Sequence, residues 1–234
     1  MPNPKLLRLA RMYSVKEIFL TLQGEGGQAG LPAVFVRFAG CNLWSGRERD
    51  RAKAVCKFCD TDFIGTDGTG GGKFKTAQTL TREIKSHWPK GQGEVWAVMT
   101  GGEPLLQLDE ALIAACHAEG IKIAVETNGT LEAPNGIDWL CVSPKADAPI
   151  IQTSGHELKL VFPQAENKPQ DFEHMDFKIF SLQPRDDRFL TDRFLKGDET
   201  EFSGSPHRDA AIAFCLEHPK WRLSLQTHKW MKIP

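Results

Sequence analysis

Short apolar runs, each about the length of one strand, recur along the chain between polar or glycine-rich segments. Runs of this length that are bounded by turn residues predict strands buried within a sheet. Eight predicted strands follow from this pattern: Val15–Leu20, Ala33–Phe38, Val95–Met99, Ile121–Glu126, Trp139–Val142, His156–Phe162, Phe177–Leu182 and Trp221–Leu225. Apolar residues at helical spacing predict three helices: Thr76–Trp88, Leu108–Glu119 and Pro206–Glu217. Thr76 and Asp109 are suited to cap the first two helices at their N-termini.

The order of these elements indicates the fold. Strands that alternate with helices predict parallel strands joined by crossover helices, and hence an α/β protein. Three helices are too few for a complete eight-fold barrel, so we predict a partial, trimmed (β/α) barrel. In such sheets the functional site lies at the carboxyl ends of the strands. Six polar or glycine-rich segments follow predicted strands there: GCNLW, TGGEP, ETNGT, SPK, SLQP and QTHK.

Composition narrows the classes of function. The chain has 234 residues, of which 41% are hydrophobic, enough apolar material for one large domain. We predict a loose tail at 1–12 and a single domain over 13–234. The net charge of −1 provides no global basic field for nucleic acid. Arg8 and Arg11 interrupt the apolar N-terminus and no run could span a bilayer, so we expect a cytoplasmic protein without a membrane partner.

Six cysteines divide into two groups. Three lie in apolar helical or strand-like patterns and are interpreted as core residues: Cys116, Cys141 and Cys215. Of the others, Cys41 directly follows a predicted strand, while Cys56 and Cys59 form a Cys-x-x-Cys pair. In a cytosolic chain of this size, metal ligation or burial of cysteines is more common than disulfide formation.

The three loop cysteines suit an iron–sulfur cluster. Three thiolates can hold a [4Fe–4S] cubane with one iron left open, because these clusters are bound by soft sulfur ligands. A structural zinc site needs a fourth ligand, and the nearest histidine in sequence, His87, lies on a predicted helix. A thioredoxin-type Cys-x-x-Cys opens a helix, whereas Asp60-Thr61-Asp62 follows the pair here. Three unligated cysteines are the remaining alternative.

These motifs together resemble a known superfamily. GCNLW and CKFCDTDF, followed by TGGEP, ETNG, SPK and SLQP, are similar to the radical S-adenosylmethionine superfamily. QGEG at Gln23–Gly26, together with QTHK, narrows the resemblance to the 7-carboxy-7-deazaguanine synthase family, and the similarity runs from Tyr13 to Pro234. The resemblance implies a lyase with a barrel of the radical S-adenosylmethionine type. Such a lyase converts 6-carboxy-5,6,7,8-tetrahydropterin to 7-carboxy-7-deazaguanine with loss of ammonia, in queuosine and deazapurine biosynthesis.

One segment departs from the pattern of the superfamily. The first two cysteines are usually close together, whereas here residues 42–55 are inserted between them. A loop can lengthen while its ends stay close at modest entropic cost, so the insertion is compatible with a cluster. Its basic residues suit the docking of an acidic flavoprotein, and a solvated charged helix is the simpler interpretation.

The resemblance also implies which residues bind the cofactors. Three residues would hold the cluster: Cys41, Cys56 and Cys59. The aromatic Phe58 would lie beside the adenine of S-adenosylmethionine, and Gly102 and Glu103 would meet its methionine end. Further residues implied for this cofactor are Ser143, Pro144, Lys145, Gln183, Pro184, Arg185 and Asp186.

The pterin substrate presents a guanine-like edge and a carboxylate. Gln23 and Glu25 supply the mixed donors and acceptors that such an edge needs. Arg37 suits the carboxylate, although strand alternation also permits a surface arginine at this position. The other predicted substrate contacts are Leu22, Gly24, Thr100, His228 and Pro234. A structural histidine at 228 and a frayed end at 234 are the alternatives.

A third cofactor and two partners follow from the same resemblance. The family uses Mg²⁺, and the Thr61 hydroxyl fits the preference of this ion for oxygen, with an ordinary loop cap as the alternative. A homodimer and an electron donor such as flavodoxin or ferredoxin are implied as well. Two other functions stay open: an activase that makes a glycyl radical on a partner protein, and a non-enzymatic zinc-binding module. The segments QGEG and QTHK argue against the activase, and the missing fourth ligand argues against the zinc module.

Overall fold

The computed structural model of the chain describes residues 12–91, 93–185 and 205–234. The predicted tail, except for its last residue, lies outside these ranges. The described residues contain one sheet of nine strands: β1 Tyr13–Leu22, β2 Pro32–Phe38, β3 Gly72–Phe74, β4 Val95–Gly101, β5 Ile121–Thr127, β6 Trp139–Val142, β7 Ser154–Phe162, β8 Asp176–Pro184 and β9 Trp221–Leu223. All eight predicted strands are present, and β3 was not predicted.

Parallel pairing holds for most of the sheet. The strand order is β3-β1-β2-β4-β5-β6-β7-β8-β9, with β2 and β4 to β9 parallel. The prediction of parallel strands was wrong for β1, which pairs antiparallel with both β2 and β3. The connection from Gln23 to Leu31 is too short for a crossover, so the chain reverses direction there. In the described ranges β3 and β9 form the two free edges, which confirms an open, partial barrel.

Caps in the sequence fix the starts of the first two helices. Four helices lie in the described ranges: α1 Ala77–Ser86, α2 Glu110–Ala118, α3 Pro206–Glu217 and α4 Thr227–Met231. The Thr76 side chain accepts a hydrogen bond from the backbone N–H of Thr79, and Asp109 accepts one from Leu112, which confirms both predicted caps. Helix α1 ends before the predicted Trp88, and the five-residue α4 was not predicted. No helix in the described part of the chain is long and apolar enough to cross a membrane.

The main hydrophobic core lies between one face of the sheet and the helices. On β2 the side chains of Val34, Val36 and Phe38 are fully buried and belong to this core. Because side chains alternate along a strand, Phe35 and Arg37 point to the opposite face. That second face forms the interior of the partial barrel, where polar side chains can meet.

The inserted segment 42–55 follows β2, and its two ends lie close together. The backbone N–H groups of Val55 and Cys56 donate to the carbonyl of Leu43, at 3.1 and 3.4 Å. Between these points Glu48–Lys53 forms a 3-10 helix without buried residues. The prediction of a solvated, charged helical segment was therefore correct about its exposure, and the turn is 3-10 in type. The closed ends keep the first and second loop cysteines near each other.

Candidate active site

A cavity of about 900 Å³ lies at the carboxyl ends of the parallel strands. All six polar segments predicted to follow strands contribute residues to its wall, as do β1 and β7. The location is the one expected for a parallel α/β sheet, because the strand ends and the loops that follow them meet at one edge. The sequence-based prediction of a single rim is confirmed.

Three cysteines reach the wall of the cavity together: Cys41, Cys56 and Cys59. The backbone N–H of Leu43 lies 3.4 Å from Sγ of Cys41 and donates to it. A hydrogen bond between the side chains of Cys56 and Cys59 lowers the pKa of Cys59. The same hydrogen bond, with burial, raises the pKa of Cys56 far above its usual range. The lowered pKa of Cys59 favours its thiolate, and the thiolate is the form that binds metals.

Two glycines let the loop after β4 approach Cys41. A Cβ at Gly102 would lie 2.0 Å from the carbonyl oxygen of Gly40 and 2.9 Å from Cβ of Cys41. Gly101 has a φ of +125°, and a Cβ there would meet the backbone of Phe38 at 2.3 Å. Both positions therefore require glycine, and Gly102 lies on the cavity wall as predicted.

Glu103 does not line the cavity, and its expected contact with the cofactor stays a prediction. The side chain is fully buried and accepts hydrogen bonds from Leu105 N–H, Thr127 hydroxyl and Asn128 N–H, at 2.9, 2.7 and 2.8 Å. Burial raises its pKa while these donors oppose the shift. Glu103 therefore joins the loops that follow β4 and β5.

The other residues predicted to contact S-adenosylmethionine lie mostly on the wall. After β6, Ser143 and Lys145 line the cavity, and the ammonium of Lys145 donates to Ser143 Oγ. Pro144 is not part of the wall, because its carbonyl faces inward and accepts from Nε2 of Gln164. Four more predicted residues line the cavity: Phe58, Gln183, Pro184 and Arg185. Asp186 lies outside the described residues.

A buried ionic cluster forms a second part of the wall. Nζ of Lys159, on β7, lies 2.7 Å from Glu25 Oε2 and 2.9 Å from Glu126 Oε2. Nε2 of Gln23 lies 3.3 Å from Glu126 Oε1, and Nε2 of Gln226 donates to Glu25 at 2.8 Å. Gln23 and Glu25 were predicted for this site, whereas Glu126 and Lys159 were missed. We call Glu25, Glu126 and Lys159 the carboxylate–lysine cluster.

The charges of the carboxylate–lysine cluster follow from its burial and its ion pairs. Burial would raise the pKa of Glu25, but the ion pair with Lys159 and the hydrogen bonds it receives lower that pKa to about 2. Burial dominates at Glu126 and raises its pKa. Burial opposes the charge of Lys159, yet its carboxylate neighbours raise its pKa well above the usual value. The cluster thus presents an ionised Glu25 to the cavity, with Glu126 easier to protonate.

Strand β7 carried a signal for these missed residues. In HELKLVF, Glu157 and Lys159 alternate with Leu158 and Leu160, which are fully buried in the core. Two charged residues on the same side of an otherwise apolar strand point into the barrel interior. Burying charges there requires partners, and a carboxylate of β5 provides one.

Arg37 and Thr100 are register partners on β2 and β4, and both line the cavity. Arg37 is held by an ion pair, with Nε 2.7 Å from Oε1 of Glu17. Its side chain is 21% exposed, so the alternative of a surface arginine does not apply. Leu22 lies on the wall at the end of β1 and is partly exposed.

The segment around α4 packs against the loop after β1. The backbone N–H and the hydroxyl of Thr227 both donate to the carbonyl of Gly24 at 3.0 Å. A Cβ at Gly24 would lie 2.3 Å from Nδ1 of His228, so this contact requires glycine. The Thr21 hydroxyl donates to the backbone oxygen of Pro234 at 3.0 Å. His228 and Pro234 both line the cavity, and burial lowers the pKa of His228.

Oxygen-bearing side chains follow the last loop cysteine along the wall. Asp60, Thr61 and Asp62 all line the cavity. Lys229 Nζ lies 2.7 Å from Oδ2 of Asp60, which joins α4 to the cysteine loop. The predicted Mg²⁺ contact of Thr61 stays a prediction.

The remaining cysteines are core residues, as predicted from their apolar surroundings. Cys116 and Cys141 are fully buried, and Cys215 is partly buried against the core. All six cysteines of the chain are free thiols. Only the three loop cysteines reach the cavity.

Comparisons with known proteins agree with this geometry. The sequence model of the Radical SAM superfamily matches residues 51–152. The 7-carboxy-7-deazaguanine synthase of Caulobacter vibrioides is 61% identical over 226 residues, which cover 95% of this chain and 99% of the relative. The synthase of Bordetella pertussis is 57% identical over 222 residues, with the same coverage of 95% and 99%.

The chain belongs to the 7-carboxy-7-deazaguanine synthase family. The resemblance drawn from the motifs is therefore confirmed. The crystal structure of QueE from Escherichia coli superimposes with a TM-score of 0.64 at 22% identity and covers 92% of this chain and 93% of that one, which supports the fold. The superfamily match begins inside the 42–55 insertion, so it includes Cys56 and Cys59 and leaves Cys41 outside.

The cavity of this family member fits the cofactors that the superfamily implies, a [4Fe–4S] cluster and S-adenosylmethionine. The donor set is three soft thiols on one wall, and Gly102 keeps the space beside Cys41 free of a side chain. The Lys145 ammonium opposes the rise in the pKa of Cys56 and adds to the lowering of the pKa of Cys59.

Proposed function

We propose that this chain is a radical S-adenosylmethionine lyase that converts 6-carboxy-5,6,7,8-tetrahydropterin to 7-carboxy-7-deazaguanine with loss of ammonia. The observation that carries the proposal is one cavity with three cysteines and a buried carboxylate–lysine cluster on its wall, in a chain 61% identical to a 7-carboxy-7-deazaguanine synthase. A volume of about 900 Å³ suits a pterin together with a nucleoside cofactor.

The cysteine wall binds the cofactors. Three residues hold the cluster: Cys41, Cys56 and Cys59. When bound, the cluster and S-adenosylmethionine would supply the radical chemistry that starts the rearrangement of the pterin. Lys145 pairs with the carboxylate of S-adenosylmethionine, Phe58 packs beside its adenine, and Gln183 hydrogen-bonds to its nucleoside. These side chains orient the cofactor and limit the access of water.

The carboxylate–lysine wall binds the pterin. Glu25 is ionised throughout the neutral range because its pKa is about 2, so it accepts hydrogen bonds from the amino and ring N–H groups of a guanine-like edge. Lys159 holds the Glu25 and Glu126 carboxylates in fixed positions at 2.7 and 2.9 Å. Arg37 and Thr100, neighbours across β2 and β4, bind the substrate carboxylate. His228 closes the wall beside Gly24, and Pro234 closes it beside Thr21.

Further components complete the proposal. Mg²⁺ binds at the Thr61 hydroxyl, beside the carboxylates of Asp60 and Asp62, because this ion prefers oxygen ligands. Exposed basic residues of the insertion and Lys57 favour an acidic electron donor such as flavodoxin or ferredoxin. Membership of the family is the support for a homodimer. Free thiols at all six cysteines agree with a reducing, cytoplasmic location.

An anaerobic reconstitution tests the proposed function. The purified chain is loaded with iron and sulfide, and iron content, visible absorption, 5′-deoxyadenosine and 7-carboxy-7-deazaguanine are measured with and without the pterin. We expect about four irons per chain and deazaguanine formation from the pterin alone, without a partner protein. Cofactor cleavage that ignores the pterin would retain the superfamily chemistry and refute the substrate. Requirement for a partner protein would favour a glycyl-radical activase, and a parent chain that binds no iron would refute the whole proposal.

A further inference from the structure

We propose that Arg51, in the inserted segment 42–55, is a positioning residue that holds the Cys56–Cys59 turn in its ligating conformation and places a positive charge beside the cluster. The inference rests on the proposed cluster and goes beyond it, because it gives the insertion a role. Its 3-10 turn, Glu48–Lys53, has no buried residues and carries Arg49, Arg51 and Lys53, and one of these, Arg51, is turned toward the cysteines.

Arg51 is bonded to the backbone of the Cys-x-x-Cys turn itself. Its Nη1 donates to the carbonyl oxygens of Lys57 and Cys59, both at 3.0 Å. These carbonyls flank Phe58, the residue proposed to pack beside the adenine. A single guanidinium nitrogen therefore fixes the relative position of two peptide groups between the second and third cluster ligands.

The guanidinium is itself held on its other edge and on its face. Nε and Nη2 form a bidentate pair with the Glu48 carboxylate, at 2.6 and 2.8 Å. The guanidinium carbon lies 4.1 Å from the centre of the Trp44 ring, which is buried and meets Phe63 edge-on. A planar fork can satisfy all these contacts at once, whereas a lysine ammonium cannot.

The position of this charge has an electrostatic consequence. A cation beside an iron–sulfur cluster stabilises the reduced state, which carries one more negative charge, and so raises the reduction potential. Glu48 offsets part of the charge, but its side chain is 74% exposed and is therefore screened by water. Removal of the guanidinium should consequently make the cluster harder to reduce.

The insertion provides a matched control in Arg49. Its side chain is 72% exposed and its nearest ionic partner, Asp50, lies 3.8 Å away. Arg49→Gln and Arg51→Gln change the net charge of the same segment by the same amount. Arg51→Lys retains the charge and removes the fork that spans two carbonyls.

The test compares these three variants with the parent chain after anaerobic reconstitution. Two properties are measured besides activity: the rate at which a chelator removes iron, and the midpoint potential of the cluster from a redox titration followed by electron paramagnetic resonance. Far-UV circular dichroism checks that each variant folds. We expect Arg51→Gln to lose iron about tenfold faster and to have a more negative midpoint potential than the parent. Arg51→Lys should lose iron faster with a smaller change in potential, and Arg49→Gln should match the parent in its rate of iron loss and its midpoint potential.

Each result either supports or contradicts the positioning role of Arg51. Parental chelation rate and potential in Arg51→Gln, or equal changes in Arg49→Gln, would overturn the positioning role while leaving the cluster intact. If Arg51→Gln does not fold, a parental rate of iron loss in Arg51→Lys overturns the role by itself. A parent chain without iron would refute the cluster first, which distinguishes that failure from the failure of this inference.

Discussion

The two walls of the cavity are built in different ways. The cysteine wall comes from loops: Cys41 follows β2, and Cys56 and Cys59 follow an insertion. The carboxylate–lysine wall is placed mainly by strands, with Glu126 on β5 and Lys159 on β7. A loop can accept extra residues while its ends stay together, but a strand cannot shift by one residue without turning its side chains to the other face. The difference predicts that changes in the cysteine wall mainly reduce activity. Changes in the carboxylate–lysine wall should reduce both activity and stability.

The largest expected effect on activity comes from a change in the cysteine wall. Cys56→Ala removes a proposed cluster ligand, so we expect no measurable cluster and a fall in deazaguanine formation of at least about 10³-fold. The unfolding free energy of the iron-free chain should change by only about 1 kcal/mol, because little apolar volume is lost. Iron analysis, a product assay and urea unfolding provide the three measurements. Cys215→Ala, on α3, is the control and should keep both iron and activity; a Cys56→Ala protein with a full complement of iron would contradict the assignment.

Changes in the carboxylate–lysine wall should lower the free energy of unfolding. Lys159→Met leaves Glu25 and Glu126 buried together without their shared cation, and breaking a buried ion pair costs about 3–5 kcal/mol. Lys122→Met is the matched control, because its pair with Glu94 is exposed and should contribute about 0–1 kcal/mol. Urea unfolding of the two iron-free variants measures both values. Equal losses of unfolding free energy in the two variants would show that burial does not determine how much the ion pairs of the carboxylate–lysine cluster contribute to stability.

Unfolding at acid pH should distinguish the contributions of Glu25 and Glu126 in the carboxylate–lysine wall. The pKa of Glu25 is about 2 in the folded chain against 4.5 for an ordinary glutamate. A lowered folded-state pKa stabilises the fold above the unfolded value and loses that contribution as pH falls, here between about 4.5 and 2. The full contribution is about 3 kcal/mol. Glu126 acts in the opposite sense, because its raised pKa makes protonation favourable in the fold.

The measurement for this prediction is urea unfolding of the parent and of Glu25→Gln at several pH values from 6 to 3. We expect the unfolding free energy of the variant to fall less steeply with acid than that of the parent. Glu119→Gln, whose ion pair with Lys85 is exposed, should follow the parent curve. Parallel curves for all three proteins would show that Glu25 is not held ionised by Lys159.

Much of the fold could be predicted from the sequence, because most elements carry their own signal. The eight predicted strands are apolar runs, and the caps at Thr76 and Asp109 are local. By contrast, β3 has three residues and exists through its pairing with β1, and α4 is anchored where Thr227 bonds to Gly24. These two elements depend on contacts distant in sequence, so a local pattern could not reveal them.

The site residues also divide into those with a local sequence signal and those that depend on contacts distant in sequence. The three loop cysteines were identified from their spacing and residue type, whereas the roles of QGEG and TGGEP were implied by the family resemblance. Glu126 and Lys159 are 33 positions apart and had no visible partner, so their charges gave no sign of a shared site. Glu103 sits inside a recognised motif, yet its bonds to Thr127 and Asn128 turn it away from the cavity. Motifs therefore predicted the reactive groups better than the buried polar groups that support them.

The smallest expected effect concerns the contact between the two walls. Asn42, next to Cys41, donates to the Thr130 hydroxyl at 2.7 Å, and its own Oδ1 accepts from Asn128 at 3.0 Å. Thr130→Val removes that hydroxyl with little change of shape, at a cost of about 1 kcal/mol of unfolding free energy. Because the lost bond frees the loop at Cys41, chelators should also remove iron about two- to threefold faster. Thr130→Ser keeps the hydroxyl and should restore both values; if iron loss stays at the parental rate in the valine variant, the strand ends do not steady the cysteine loop and the two walls act independently.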